Sequence, residues 1–257
     1  IYAVEGSRPK RYEFKHEADV QKWLNLIRGQ HLPYDPRLTG DDQLRPPLPF
    51  EDKRLLATLK HTFWFLPSVA ACHAMGDLLK QPENGFFHDY KIVVAAGAKA
   101  GIGLDALPPV RNAISRAGLG TRSITLSCMK LTTGITVPEW SGIFMLRNLN
   151  SPETYFQAAF RVQSPWTTTE VDPVEGEVVH YLKPSCYLLD FSPNRALRLI
   201  TDYATQLDPD PDISKESKVE EFLKYLPVLC YDGYRMQEMN ADDLLDFVIA
   251  GTGSTML

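Results

Sequence analysis

ITLSCMKLTTGITVPEWSGIFMLRNLNSPETYFQAAFRVQSPW, residues 124–166, decides how this chain folds. A β-rich apolar run leads into a turn at Gly134. A second apolar strand follows, then the turn Asn150-Ser151-Pro152, then a helix bearing Gln157 and Arg161. On one α-helix, residues four apart share a face, so an amide and a guanidinium can address a single ligand. A guanidinium suits a phosphate because its planar fork donates two parallel hydrogen bonds and never loses its charge. The plainer alternative is a solvated arginine on an amphipathic helix.

Moving outward, the same alternation recurs. A short helix over Glu51–Lys60 precedes the apolar run Thr62–Leu66, which suits a strand buried on both faces of a parallel sheet. Pro67-Ser68 opens a helix over Val69–Lys80. Ser68 is there either as a plain N-cap or as a contact for an anion at the helix N-terminus. A strand over Tyr90–Ala96 feeds the glycine-rich run Gly97–Gly103, and a helix follows around Val110–Ala117. Strands are expected at Ser123–Ser127, Gly142–Leu146 and Cys186–Phe191, with a helix behind the last from Asn194 to Tyr203. Strands alternating with helices predict an α/β fold, a parallel sheet flanked by helices on both faces. Its ligand edge lies at the carboxyl ends of the strands, and Ser68, Gly97 and Gly134 all follow strand ends.

The order around Gly134 and Arg161 resembles the last two motifs of superfamily 2 helicases and translocases. There a strand runs into a glycine-centred loop, and a further strand and a proline turn lead to a helix patterned Q-x-x-G-R-x-x-R. Here the loop is Thr132-Thr133-Gly134-Ile135-Thr136-Val137-Pro138 and the helix reads Gln157-Ala158-Ala159-Phe160-Arg161. The chain is most similar to the helicase-like subunits of restriction-modification systems. The likeness covers roughly Lys60 to Ser192. Phe160 stands where that family has glycine, and Ser164 where it has a second arginine.

That resemblance implies the second RecA-like lobe of a DNA-dependent ATPase. Arg161 would be its arginine finger, with Gln157 beside it and Gly134 and Thr136 lining the nucleotide cleft. Ser68, Lys99, Thr132 and Thr133 would touch the nucleic acid, DNA rather than RNA. A complete motor needs a first lobe with G-x-x-x-x-G-K-[ST] and an acidic pair for Mg²⁺. No Gly-Lys dipeptide occurs anywhere in this chain. ATP and Mg²⁺ would therefore be held mainly by a separate first lobe, and the chain alone would be inactive.

Composition agrees with a folded protein. Of 257 residues, 44% are hydrophobic and 23% charged, and no apolar run approaches the ~20 residues that cross a bilayer. No signal-peptide pattern stands at Ile1, and four scattered reduced thiols suggest a cytoplasmic protein. Cys72, Cys128, Cys186 and Cys230 are too far apart for a zinc site and read as reduced thiols, so no metal ligands are assigned. A net charge of −5 suggests weak nucleic-acid binding by this portion alone. Starting at Ile1 and ending in GTGSTML, the chain reads as an excised fragment or as one trimmed to its ordered residues.

The ends read as appendages. Val20, Trp23, Leu24 and Ile27 are spaced for a helix over Glu17–Ile27, before a proline-punctuated stretch through Pro33, Pro36, Pro46, Pro47 and Pro49. Asp208-Pro209-Asp210-Pro211-Asp212 lacks the glycine and distal glutamate of a calcium loop and reads as an acidic linker. Helices are expected at Lys215–Tyr225 and, capped by Asn240, at Ala241–Val248. The domain plan is thus 1–50 helix and linker, 51–205 RecA-like lobe, and 206–257 helical extension.

One rival motif competes. Gly97, Gly101 and Gly103 after a strand look like the G-x-x-x-G-x-G turn of short-chain dehydrogenases, which would make the chain an NAD(P)-dependent oxidoreductase. Against it, a full strand-helix unit precedes the turn. No tyrosine has a lysine four residues on, and no acidic residue ends a second strand about 20 residues later. Pro108-Pro109 would also interrupt the required helix. A catalytically dead RecA-like interaction module, suggested by Ser164 in place of the second arginine, is the remaining alternative.

Overall fold

The apolar runs become the strands of one sheet. In the computed structural model, the described residues are 3–5, 12–30, 48–97, 103–114, 119–129, 131, 134–172, 176–231 and 236–253. They divide into two units. The first gathers those within Ile1–Gln30, Pro49–Asn148 and Gln157–Leu189. Its elements begin with β1 (Ala3–Glu5), β2 (Tyr12–Phe14), α1 (Glu17–Ile27), α2 (Lys53–Thr58), β3 (His61–Phe65), α3 (Val69–Leu78), β4 (Lys91–Val94) and α4 (Leu107–Ile114). They continue with β5 (Ser123–Ser127), β6 (Gly142–Met145), the end of α5 (Pro152–Ala159), β7 (Thr167–Asp172), β8 (Gly176–Tyr181) and all but the last residue of β9 (Tyr187–Asp190).

The sheet runs β4-β5-β3-β6-β9. β4, β5, β3 and β6 pair in parallel, and β9 is hydrogen-bonded beside β6. The chain steps outward from β3 to β4 and back from β4 to β5. Right-handed crossovers in opposite directions put α3 and α4 on opposite faces, so the sheet is flanked by helices on both sides as expected. This is an α/β arrangement.

Every residue of β3 and β5 is buried. Trp64 pairs in register with Leu126 and Phe144 and meets α1 and Phe50 on that face. The Phe50 ring stacks 5.6 Å from Phe144, and Trp23 meets Trp64 edge-on at 5.7 Å. Phe63 points to the other face, 4.8 Å from Trp140. Each such large side chain contributes about 1.5–3 kcal/mol on burial. α3 lies close on the first face because Gly76 has no Cβ. An added one would sit 2.8 Å from Val94 Cγ2.

The helix α1 and Phe50 join the core of this unit. Leu24 and Ile27 of α1, with Phe50, are fully or nearly fully buried in the same cluster as Trp64 and Phe144. The two prolines before Val110 do not break the helix. Pro108 and Pro109 occupy the first turn of α4, where N–H groups have no intrahelical acceptor to lose. The hairpins β1–β2, β7–β8 and β10–β11 were not expected from the sequence.

The second unit holds the described residues within His31–Leu48, Leu149–Phe156 and Asp190–Leu257, so the boundary falls inside α5. Its own elements are α6 (Pro193–Leu207), α7 (Lys215–Leu223), β10 (Leu229–Tyr231), β11 (Met236–Glu238) and α8 (Ala241–Gly253). α6 thus groups with the C-terminal helices. Phe156 stacks on Tyr203 at 4.3 Å and meets Phe222 edge-on at 5.3 Å. Asn240 caps α8 through Asp243 N at 2.8 Å, as the sequence indicates.

Candidate functional site

The site grows from the segment between β5 and β6. Gly134 turns with φ +68°, a left-handed conformation that a Cβ would strain. No described atom lies within 4 Å of where that Cβ would stand, so the turn opens onto free space. Beyond it the segment alternates. Ile135, Val137 and Trp140 are buried, while Thr136 is exposed. The apolar residues anchor the loop and leave Thr136 facing outward.

A loop outside any ladder must find donors for its carbonyls elsewhere. Three cationic side chains supply them. Arg161 Nη1 donates to the Ile135 carbonyl at 2.5 Å. Arg111, on α4, donates through Nη2 to the Thr136 carbonyl at 2.9 Å and pairs through Nη1 with Glu139 at 3.0 Å. Lys183 Nζ donates to the carbonyls of Pro138 at 2.7 Å, Trp140 at 2.8 Å and Val162 at 2.7 Å. Sequence reasoning singled out Arg161 and missed Arg111 and Lys183. Neither stands in a motif, because the loop groups they bind are mainly backbone carbonyls.

Arg161 is half-buried, and burial lowers its pKa. Burial also pushes Lys183 down to about 8, opposed by the nearby Cys186 and Glu139. The helix expected to run from Gln157 through Arg161 does not stay α-helical. α5 ends at Ala159, and Phe160–Val162 form a 3-10 turn. At three residues per turn, the four-residue alignment of an α-helix no longer applies. Gln157 is exposed on the last turn of α5, while Arg161 turns toward the loop.

Ser68 caps α3, accepting from Ala71 N at 3.1 Å, and its hydroxyl keeps a proton to donate. Gly97 lies beside that first turn, since a Cβ there would be 3.1 Å from Val69 Cγ1. Both sit at carboxyl ends of strands, as expected. The loop after Gly134 does not stay on that edge. Trp140 is followed by Ser141, whose N–H donates to the His61 carbonyl at 2.9 Å at the amino-terminal end of β3. The Arg161–Lys183 cluster is therefore reached by a loop that crosses back along the sheet. Lys99, Thr132 and Thr133 lie outside the described residues, as does Gly101.

The rival glycine turn follows β4, which is an edge strand. A dinucleotide fingerprint follows a central strand at the point where strand order reverses. Among the described residues, no group of three or more His, Cys, Asp or Glu side chains could hold a metal ion. No described helix is long and apolar enough to cross a membrane.

No protein-family model matches the chain. Over 241 residues it is 29% identical to the C-terminal part of a candidate type II restriction enzyme and methyltransferase of Mycoplasma pneumoniae. That match covers 93% of this chain and 30% of the relative, so the chain spans under a third of that protein's length. Among solved structures, the C-terminal part of the Fun30 ATPase domain aligns with 93% of this chain and 63% of its own. The TM-score is 0.36 and the identity 13%.

Proposed function

We propose that this chain is the second motor lobe of a nucleic-acid-dependent ATPase of the restriction-modification kind, acting on DNA. The observation that carries this reading is the bond from Arg161 to the Ile135 carbonyl. It holds a guanidinium against the loop whose glycine opens onto free space. A half-buried arginine loses water it would otherwise bind, which strengthens its attraction for a phosphoryl group. Thr136, exposed on the same loop, offers a hydroxyl to that group, and Gln157 an amide.

ATP fits these residues as a polyanion. Mg²⁺ would be held mainly by a partner lobe carrying the P-loop. Bound ATP would supply the phosphoryl group, and Arg161 would offset charge as it builds in the transition state. Ser68, at the start of α3, and Lys99, Thr132 and Thr133 would contact the strand backbone. The similarity to a candidate restriction enzyme and methyltransferase supports DNA as the partner.

The test is Arg161→Ala in the complete protein. DNA-stimulated ATP hydrolysis is expected to fall about 10³-fold or more, as for loss of an arginine finger, with the circular dichroism spectrum unchanged. Wild-type turnover would refute the assignment.

A further inference from the structure

Of the three cations on the loop, Lys183 touches both halves of the site. Pro138 and Trp140 belong to the loop, whereas Val162 is the residue after Arg161. An ammonium has three N–H bonds, and three carbonyls at 2.7–2.8 Å match them one for one. A compact point charge with rotatable donors suits convergent carbonyls better than a planar fork would. The Lys183 ammonium thereby ties the Gly134 loop to the Arg161 turn, alongside the bond from Arg161 to Ile135.

The chain delivers this lysine by a detour. After Trp166 it runs out along β7 and returns along β8, with Thr167 opposite Tyr181. The base closes where Leu182 N donates to the Trp166 carbonyl at 2.8 Å. Apart from Val178, which is half-buried, the residues of both strands are exposed. A hairpin with so little buried surface gives the core little, but its closure brings Lys183 back beside Val162.

We propose that Lys183 is the positioning residue of the nucleotide site, pinning the Arg161 turn to the Gly134 loop before any nucleotide arrives. The inference rests on the reading of Arg161 as the phosphate contact. Preset geometry matters because a displacement of about 1 Å in a catalytic group can cost about 100-fold in rate.

The experiment uses the complete protein with Lys183→Met, Arg161→Ala and the double variant, followed by DNA-stimulated ATP hydrolysis and amide hydrogen exchange. Lys183→Met is expected to lower kcat by about 10- to 100-fold and to shift KM for ATP much less. Exchange is expected to speed up in 135–140 and 161–163 while His61–Phe65 and Ser123–Ser127 stay protected. Because Lys183 acts through Arg161, the double variant is expected to be no slower than Arg161→Ala alone. Lys183→Arg, which keeps charge and donors without the point geometry, should fall between wild type and Lys183→Met in both readouts. It also serves if the methionine variant does not fold. Unchanged exchange in the loop, or rate losses that multiply in the double variant, would overturn the positioning role while leaving Arg161 in place. Full turnover by Arg161→Ala would instead remove the nucleotide reading, and this role with it.

Discussion

Arg161 donates to the carbonyl of Ile135, and through that bond the 3-10 turn after α5 is tied to the loop after Gly134. A charge-assisted bond of this kind contributes about 1.5–3 kcal/mol. Arg161→Lys keeps the charge but loses the planar fork. Thermal denaturation should show Arg161→Lys retaining part of the stability that Arg161→Ala loses. ATP hydrolysis should separate them differently, with both variants slow. A lysine variant with wild-type turnover would mean that only charge matters at this position.

Gly134 gives a second, independent handle on the loop. Its φ of +68° is left-handed, and no described atom stands in the way of a Cβ. Gly134→Ala should therefore carry backbone strain alone, about 1–2 kcal/mol, without a packing clash. Gly134→Asn should cost less, since asparagine tolerates that conformation. Chemical denaturation of the three proteins should rank glycine above asparagine above alanine. A destabilisation well beyond strain would show that the loop packs against something in solution.

The strands of the sheet were legible in the sequence for a physical reason. Runs such as Thr62–Leu66 are buried on both faces, so continuous apolar character marks them within one or two residues at each end. β7 and β8 are nearly all exposed and carry no such mark. The partnership of Lys183 with Pro138, Trp140 and Val162 was illegible for a different reason. Its acceptors are carbonyls, which every residue has, so no side-chain pattern announces them. Arg161 was legible as a residue, but not its geometry, because nothing between Ala158 and Val162 signals a change from α to 3-10 winding.

In the second unit, Asp190 gathers three donors. Arg195 Nη2 lies 2.6 Å from its carboxylate, with side-chain exposures of 13% and 4%. Tyr155 Oη and Ser192 N donate to it at 3.0 Å and 2.8 Å. Burial and the adjacent carboxylate both push the Tyr155 phenol pKa up, so it stays a donor throughout the ordinary pH range. Asp190→Asn strips the charge that compensates Arg195, a loss that costs about 3–5 kcal/mol for a buried pair. Tyr155→Phe removes one neutral donor and should cost about 1 kcal/mol. Differential scanning calorimetry should show the first substitution lowering the melting temperature several times more than the second. Equal shifts would mean that Arg195 finds water once the carboxylate is gone.

Lys183 should make activity and stability respond to pH in opposite directions. Its folded pKa is about 8 against an ordinary 10.5, so between those values the unfolded chain binds more protons than the folded one. Raising the pH across that window therefore favours the folded state. The sign is read from the difference between wild type and Lys183→Met, which removes the contributions of all other groups. Yet a neutral amine has two N–H bonds for three carbonyls, so the tie between loop and turn loosens as the proton leaves. Hydrolysis should fall by about half near pH 8 and further above it, while the folded state grows no weaker. In Lys183→Arg the guanidinium stays charged, and the alkaline fall should move out of range. An identical alkaline limb in wild type and Lys183→Arg would assign that limb to another group and detach Lys183 from the reaction.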